Sequence, residues 1–377
     1  MISILIPTLN RPEFLYRALK YYRAAGFDGV ISIGDSSDDV NSAKNMDAIN
    51  RVTDGLRVDY QYYSKDKYHI GLVVKDLIDR AETSYVALCC DDDFLNVNGV
   101  KKCASFLDGN PDYVSARGIR ITFMLSNLDS VYGKIDNLLY VPSLDLESES
   151  AADRWATYMR CNTATAYNVH RKVTFQKMWQ RIEEFFTHDL KHEIYPCSVT
   201  CLLGKTKNID VLYNVVQHHR GSLSFSGKIR IYDAIVSEGW SSDVRHFCNY
   251  VCDELKMRDK LSEEEARSFF YKEFENYLLS QFLYYTGLDN KNINIDRITN
   301  LAMKIRTSIR KRPYLSAFLR YLSQRKLDAA NLYNHPHAQP VALASMTGRS
   351  SPYREDFSTI VSILAKQGSR GDRDPVS

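Results

Sequence analysis

The chain has 377 residues, 44% of them hydrophobic and 25% charged, with a formal net charge of +3. That length is enough for two domains, and the composition is that of an ordinary globular protein. So small a net charge gives no general case for nucleic acid, and no run of about 18 apolar residues offers a membrane span. Ile2 to Ile6 is a short apolar run that reads as a buried strand, stopped at Pro7, which cannot donate to a ladder. Glu13 to Tyr22 has helical spacing, with Pro12 suited to a first turn. Val30-Ile31-Ser32-Ile33 is a second strand, running into Gly34-Asp35-Ser36-Ser37-Asp38-Asp39. Val58 to Tyr62 is a third, Gly71 to Ala81 a helix, and Tyr85 to Cys90 a fourth strand that delivers Asp91-Asp92-Asp93. Alternating strands and helices predict an α/β fold with a mostly parallel sheet. The polar loops all fall at carboxyl ends of strands, where open α/β sheets take their ligands.

The three adjacent carboxylates are the sharpest chemical signal. Like charges at one strand end repel, and burying one unpaired costs several kcal/mol, roughly. A divalent cation resolves the conflict, and hard oxygen ligands suit Mg²⁺ or Mn²⁺. A solvated acidic turn accounts for the run equally well on its own.

Taken together, Ile4-Leu5-Ile6-Pro7-Thr8-Leu9-Asn10-Arg11, Gly34-Asp35-Ser36-Ser37-Asp38-Asp39 and Asp91-Asp92-Asp93 resemble the successive motifs of GT-A glycosyltransferases of the family-2 type. The resemblance covers residues 1 to 120 well and 120 to 225 loosely. Gly34 and Ser36 depart from the usual D-D-G-S-x-D pattern, and His69 stands where an Asn often precedes the next helix. The resemblance implies a Rossmann-like GT-A domain and a nucleotide-diphosphate sugar donor. Pro7, Thr8, Asn10, Arg11, Asp35, Ser37 and Asp92 would bind that donor. Asp91 and Asp93 would hold Mn²⁺ or Mg²⁺ on the diphosphate. It also implies an inverting transfer to a hydroxyl of a glycan or lipid-linked acceptor, in surface polysaccharide or glycolipid synthesis. A nucleotidyltransferase of related fold and a non-catalytic nucleotide- or glycan-binding module remain the alternatives.

Beyond the aspartates, Phe94 to Leu107 reads as a helix and Asp112 to Phe123 as one or two strands. Leu125 to Ser150 reads as irregular. A helix over Ala151–Met159, a strand over Thr165–His170 and a helix over Val173–Phe186 follow. The segment Thr187 to Pro196 carries Asp189 and Glu193, four apart and on one face if helical. An inverting transfer needs a base for the acceptor proton, and Asp189 is the first candidate, Glu193 the second. The acids also suit an exposed helix start. His188 and His192 share that spacing but lack the H-E-x-x-H context of a zinc site. The run Gln217-His218-His219-Arg220 ends a further strand. His218 or His219 is a candidate metal ligand and Arg220 a candidate for the pyrophosphate, or the run is an exposed polar tip.

From residue 228 the pattern turns helical, giving a GT-A domain over 1–227, a helical domain over 228–367 and a disordered tail over 368–377. The basic stretch Lys304 to Lys326 has apolar residues at helical spacing, suited to packing or to anionic lipid. Eight cysteines without a C-x-x-C pair suit free thiols in a reducing compartment. The expected location is the cytoplasm, with peripheral contact at the inner membrane face open.

Overall fold

The computed structural model of the chain describes residues 1–52, 54–161, 164–188, 190–222, 234–235, 237–286 and 339–365. The fold is α/β, built on a central ten-stranded sheet. Its first half is β1 (Ile2–Thr8), α1 (Pro12–Ala24), β2 (Val30–Asp35), α2 (Asp39–Val52), β3 (Arg57–Tyr62), α3 (Ile70–Arg80) and β4 (Tyr85–Leu88). These four strands lie parallel in the order β4-β1-β2-β3. The second half holds β5 (Phe94–Leu95), α4 (Val97–Gly109), β6 (Tyr113–Leu125), β7 (Ile135–Val141) and α5 (Ala151–Cys161). It continues with β8 (Val169–Arg171), α6 (Lys172–Gln180), α7 (Tyr195–Leu203) and β9 (Lys205–Gln217). Here β8 runs antiparallel between β4 and β6, and β9 pairs parallel with β6. The carboxyl ends of β1, β2, β3, β4, β6 and β9 and the start of β8 therefore share one edge.

Helices cover both faces, which is why β1 is buried along nearly its whole length. Ile4 and Ile6 pack with α1, α2 and α4, whereas Leu5 packs with α3, α5, α6 and α7, as the alternation of a strand requires. The sheet does not stop at Pro7. The N–H that Pro7 lacks points to the β4 side, where the ladder has already closed with Cys89 N–H to Leu5 O at 2.9 Å. Thr8 instead faces β2, and its carbonyl accepts from Ser36 N–H at 3.0 Å.

Within the stretch expected to be irregular, β7 forms a hairpin with β6, with Ile135 and Leu138 turned inward. The helix expected from Phe94 begins only at Val97, because Phe94 and Leu95 pair with β9 and Asn96 caps the helix through Gly99 N–H at 2.8 Å. Beyond residue 228, the helices Trp240–Asp259 and Glu263–Thr286 pack on α5 and α7 through Phe247, Val251, Phe270 and Phe274. The helix Arg354–Ala365 packs on the opposite face with α1, and the strand Gln339–Pro340 extends the sheet beyond β7. The basic stretch Lys304–Lys326 and the tail 368–377 lie outside the described residues. No described helix is long and apolar enough to cross a membrane.

Candidate functional site

The acidic run is a turn, not a strand end. β4 stops at Leu88, and Asp93 N–H closes back on Cys90 O at 3.2 Å. Alternation along a strand therefore does not place Asp91 and Asp93 on one face, and the turn sorts the three carboxylates differently. Asp91 accepts from Thr8 Oγ1 at 2.7 Å and from Arg11 Nη1 at 3.3 Å. Asp92 accepts from the same Arg11 nitrogen at 3.0 Å and from His219 Nε2 at 2.7 Å. Asp93 accepts from Gln217 N–H at 3.0 Å. Ligand atoms of Cys90, Asp92 and Asp93 all lie within 4.8 Å of one another, the one such group among the described residues. This group brings Asp92 together with Asp93, while Asp91 turns to the loop after β1.

All three carboxylates are at least nine-tenths buried. Burial, then the charge of Asp92, pushes Asp91 up to about 6 and Asp93 well above the carboxylate range. Burial also opposes ionisation of Asp92, but the His219 hydrogen bond and the Arg11 charge outweigh it and hold that carboxyl low. Desolvated carboxylates crowded together are what a divalent cation relieves. Burial and then Asp93 hold the Cys90 thiol well above its usual value.

His219 reaches this cluster through Asp92. The His219 ring also stacks on Phe14 at 4.8 Å. His218 donates its backbone N–H to Phe123 O at 2.8 Å, and burial lowers its imidazole. Arg220 points away and pairs with Asp129 at 3.1 Å on the surface. The cations at the turn come from elsewhere. Arg11 bridges Asp91 and Asp92 and also donates to Gly221 O. Arg17 is wholly buried, donates to Asp92 O at 2.5 Å and to Val131 O at 2.6 Å, and lies over Phe14 and Phe94. Sequence reasoning missed Arg17. Its signal was a charge on the apolar stripe of α1, among Leu15, Ala18, Leu19 and Tyr22.

The loops after β1 and β2 are tied to each other. Asp35 is fully buried. Its Oδ1 accepts from Ser37 N–H at 2.8 Å, and its Oδ2 from Asn45 Nδ2 at 2.9 Å and Tyr60 OH at 2.8 Å. Ser37 Oγ accepts from Asn10 N–H at 2.8 Å, and Asn10 Oδ1 accepts from Asp38 N–H at 2.9 Å. Asn10 takes a left-handed conformation, φ 56°, which Asn tolerates better than most residues. Asp35 therefore shapes the loops from beneath. Thr8, Asn10 and Arg11 stand above it.

Across the turn lies a second group of polar residues. Tyr167 OH meets Cys90 Sγ at 3.8 Å. The Cys90 thiol, burial, and the carboxylates of Asp93 and Glu193 together raise the Tyr167 phenol well above its usual value. The charge of Glu193 is thus felt at the residue that borders the acidic turn. Glu193 is exposed, and it sits in a π-helical turn, Leu190–Ile194, ahead of α7, not in the first turn of an α-helix as expected. Such turns recur at functional sites. Asp189 lies outside the described residues. The preceding Phe186 and Thr187 are pinned by the buried Asp243, which accepts both backbone N–H groups and the Thr187 hydroxyl. His188 and His192 are ring neighbours at 4.7 Å, with His69 at 5.7 Å from His192. Among the described residues these histidines form no group that could hold a metal ion.

No protein-family model matches the chain, and no curated protein matches it by sequence. Among solved structures it is similar to S. aureus TarS 1–349, with 12% identity over 84% of this chain and 82% of that one, at a TM-score of 0.46. The same fragment in complex with UDP-GlcNAc gives 14% identity over 78% and 77% of the two chains, at 0.48. The mannosyltransferase PcManGT from Pyrobaculum calidifontis, in complex with GDP-Man and Mn²⁺, gives 9% identity over 87% of each chain, at 0.41. These are likenesses of fold between an α/β protein and other α/β proteins.

Proposed function

We propose that the chain is a metal-dependent GT-A glycosyltransferase that moves a sugar from a nucleotide-diphosphate donor to an acceptor hydroxyl with inversion. The observation that carries this reading is the acidic turn. Two desolvated carboxylates, Asp92 and Asp93, stand together at the carboxyl edge of a parallel sheet, beside two loops bound into one rigid wall. Asp92 and Asp93 hold Mn²⁺ or Mg²⁺, with His219 and Arg11 orienting Asp92. When bound, the cation supplies charge neutralisation for the departing diphosphate. Thr8, Asn10 and Arg11 face the nucleotide, and Asp35 and Ser37 hold their loops in place.

Glu193 takes the acceptor proton as the acceptor oxygen bonds to the anomeric carbon. The bond from that carbon to the diphosphate breaks, and its electron pair leaves with the nucleoside diphosphate. Asp189, four residues before Glu193, is the other candidate base. A role in surface polysaccharide or glycolipid synthesis, in the cytoplasm or at the inner membrane face, accords with this chemistry.

The test is a donor-hydrolysis screen over common nucleotide sugars with Mn²⁺ or Mg²⁺. Hydrolysis of at least one donor, abolished by EDTA, is expected. Glu193→Gln should retain nucleotide binding by calorimetry and lose about 10²-fold or more in transfer. Full turnover in excess EDTA overturns metal dependence. Normal transfer by both Glu193→Gln and Asp189→Asn overturns the assignment of the base, as does a product that retains the donor's anomeric configuration.

A further inference from the structure

Between β6, β9 and the residues leading into β8 lies a small cleft lined by Arg117, Arg120, Tyr167, Asn168, Tyr213 and Asn214. It borders the acidic turn through Tyr167 and Cys90. Sheet order puts it on the far side of β4 from the β1 and β2 loops. The donor's nucleotide therefore lies on one side of the turn and this cleft on the other, where Glu193 also stands.

The cleft holds two guanidinium groups with little to bind. Arg117 is 7% exposed, and its one hydrogen bond among the described residues is Nη1 to Ala164 O at 2.9 Å. Its Nε is buried without a partner. Arg120 has a buried, unpartnered Nε as well, and no described carboxylate pairs with either side chain. Burial, then the neighbouring Arg120, pulls the Arg117 guanidinium down to about 10. Proteins rarely leave buried donors unspent, since a desolvated charge without partners costs several kcal/mol, roughly. The charge of Arg120 acts on Asp93, yet Asp93 accepts from Gln217 N–H, and it belongs to the group that could hold a metal ion. Asn214 Oδ1 is likewise buried without a partner. A fork of planar donors suits an oxyanion held by two or more hydrogen bonds.

We infer that Arg117 and Arg120 form an oxyanion subsite for a phosphate or carboxylate carried by the acceptor, so that the acceptor is an acidic glycan or a phosphate-bearing molecule and not a neutral sugar. This rests on the transfer reaction proposed above. The same donors would also suit the donor's own diphosphate, and the test separates the two sources.

Inorganic phosphate and glucuronate serve as probes, titrated calorimetrically into the full chain, alone and with saturating UDP or GDP plus Mn²⁺. Wild type should bind at least one probe, and binding should persist with the nucleoside diphosphate in place. R120Q should weaken probe binding about tenfold or more, as expected for hydrogen bonds to a charged group, while its nucleoside diphosphate affinity and unfolding midpoint hold. R117Q should do the same, and R120K should restore less than half of the lost affinity because a point charge replaces the fork. Absence of probe binding by wild type, or equal binding by R120Q, overturns the subsite. Loss of probe binding once UDP or GDP is present, or parallel loss of nucleotide affinity in R120Q, assigns the arginines to the donor and overturns the acceptor assignment. Failure of UDP and GDP to bind with Mn²⁺ strikes at the transferase reading instead and is read independently.

Discussion

Asp35 and Asp93 are both buried aspartates at the carboxyl edge of one sheet, yet the protein treats them oppositely. Asp35 collects three hydrogen-bond donors, from Ser37, Asn45 and Tyr60. Asp93 collects one backbone N–H, from Gln217, beside the like charge of Asp92. A carboxylate surrounded by donors is a structural part, and its charge is already spent on the fold. A carboxylate buried among other acids is unstable as it stands and gains most from a cation. The side formed by the loops after β1 and β2 is therefore a finished wall. The side across the turn, with Asp93, Arg117 and Arg120, keeps its polar groups for something else.

The comparison breaks most visibly at Asp93. Asp93→Asn removes a charge without changing shape, and the Gln217 N–H still finds a carbonyl oxygen. Transfer should fall about 10³-fold, the scale for losing one preorganised electrostatic contact. Stability should hold or rise, because a desolvated acid has been removed. Urea unfolding beside a transfer assay checks this. A large loss of stability would make Asp93 a structural acid like Asp35.

The sequence made much of this edge legible. Apolar runs ending in polar loops located β1, β2 and β4, and the order of strands and helices gave a sheet with its loops on one side. Asp92, Asp93 and Arg11 were readable from position. What escaped was which atom faces which. Leu88 ends β4 with two residues still to come before the aspartates, so the turn and not the strand period orients them. His218 and His219 cannot be told apart by composition, since a single residue of register decides which one meets Asp92. Arg220 was drawn off by Asp129, 91 residues distant in the chain, a pairing no local pattern announces. Glu193 sits in a wider helical turn that periodicity does not detect. The donors that meet Asp35, Asn45 and Tyr60, come from α2 and β3 and are brought together only by the fold.

Arg17 sharpens the comparison from the other direction, as a charge in the wall of the site whose work is structural. Its guanidinium satisfies Asp92 O, Val131 O and Gln217 Oε1 and lies between two aromatic rings. Burial holds it at about 10, still far above neutral pH, so it remains charged. Arg17→Met keeps the packing and strands three acceptors. The expected cost is about 3 kcal/mol, in the range for breaking a buried charged network. Arg17→Lys should recover little, since one ammonium does not reach three divergent acceptors. The urea midpoint measures both. A cost below about 1 kcal/mol for Arg17→Met would show that the carbonyls find water instead.

The smallest effect is expected at Asp35 and decides whether that residue touches a nucleotide at all. Asp35→Asn preserves shape but turns an amide NH₂ toward two of the donors that now point at the carboxylate. With Ser37 N–H held on Oδ1, the NH₂ would face Asn45 Nδ2 and Tyr60 OH. Tyr60 can rotate its hydroxyl to accept, whereas Asn45 Nδ2 cannot, so about one hydrogen bond is lost, about 1–2 kcal/mol. The loop after β2 then loosens, and Asn10, which reaches it through Ser37 Oγ, loosens with it. Nucleotide affinity should fall in step with stability. Asn45→Ala offers the control, because Asn45 is fully buried and cannot contact a ligand directly. If Asp35 works from beneath, the two variants share the same paired loss, in the unfolding midpoint and in calorimetric affinity for UDP or GDP. Should Asp35→Asn lose affinity at an unchanged midpoint while Asn45→Ala binds normally, the carboxylate reaches the nucleotide itself, and the wall opens when the donor arrives.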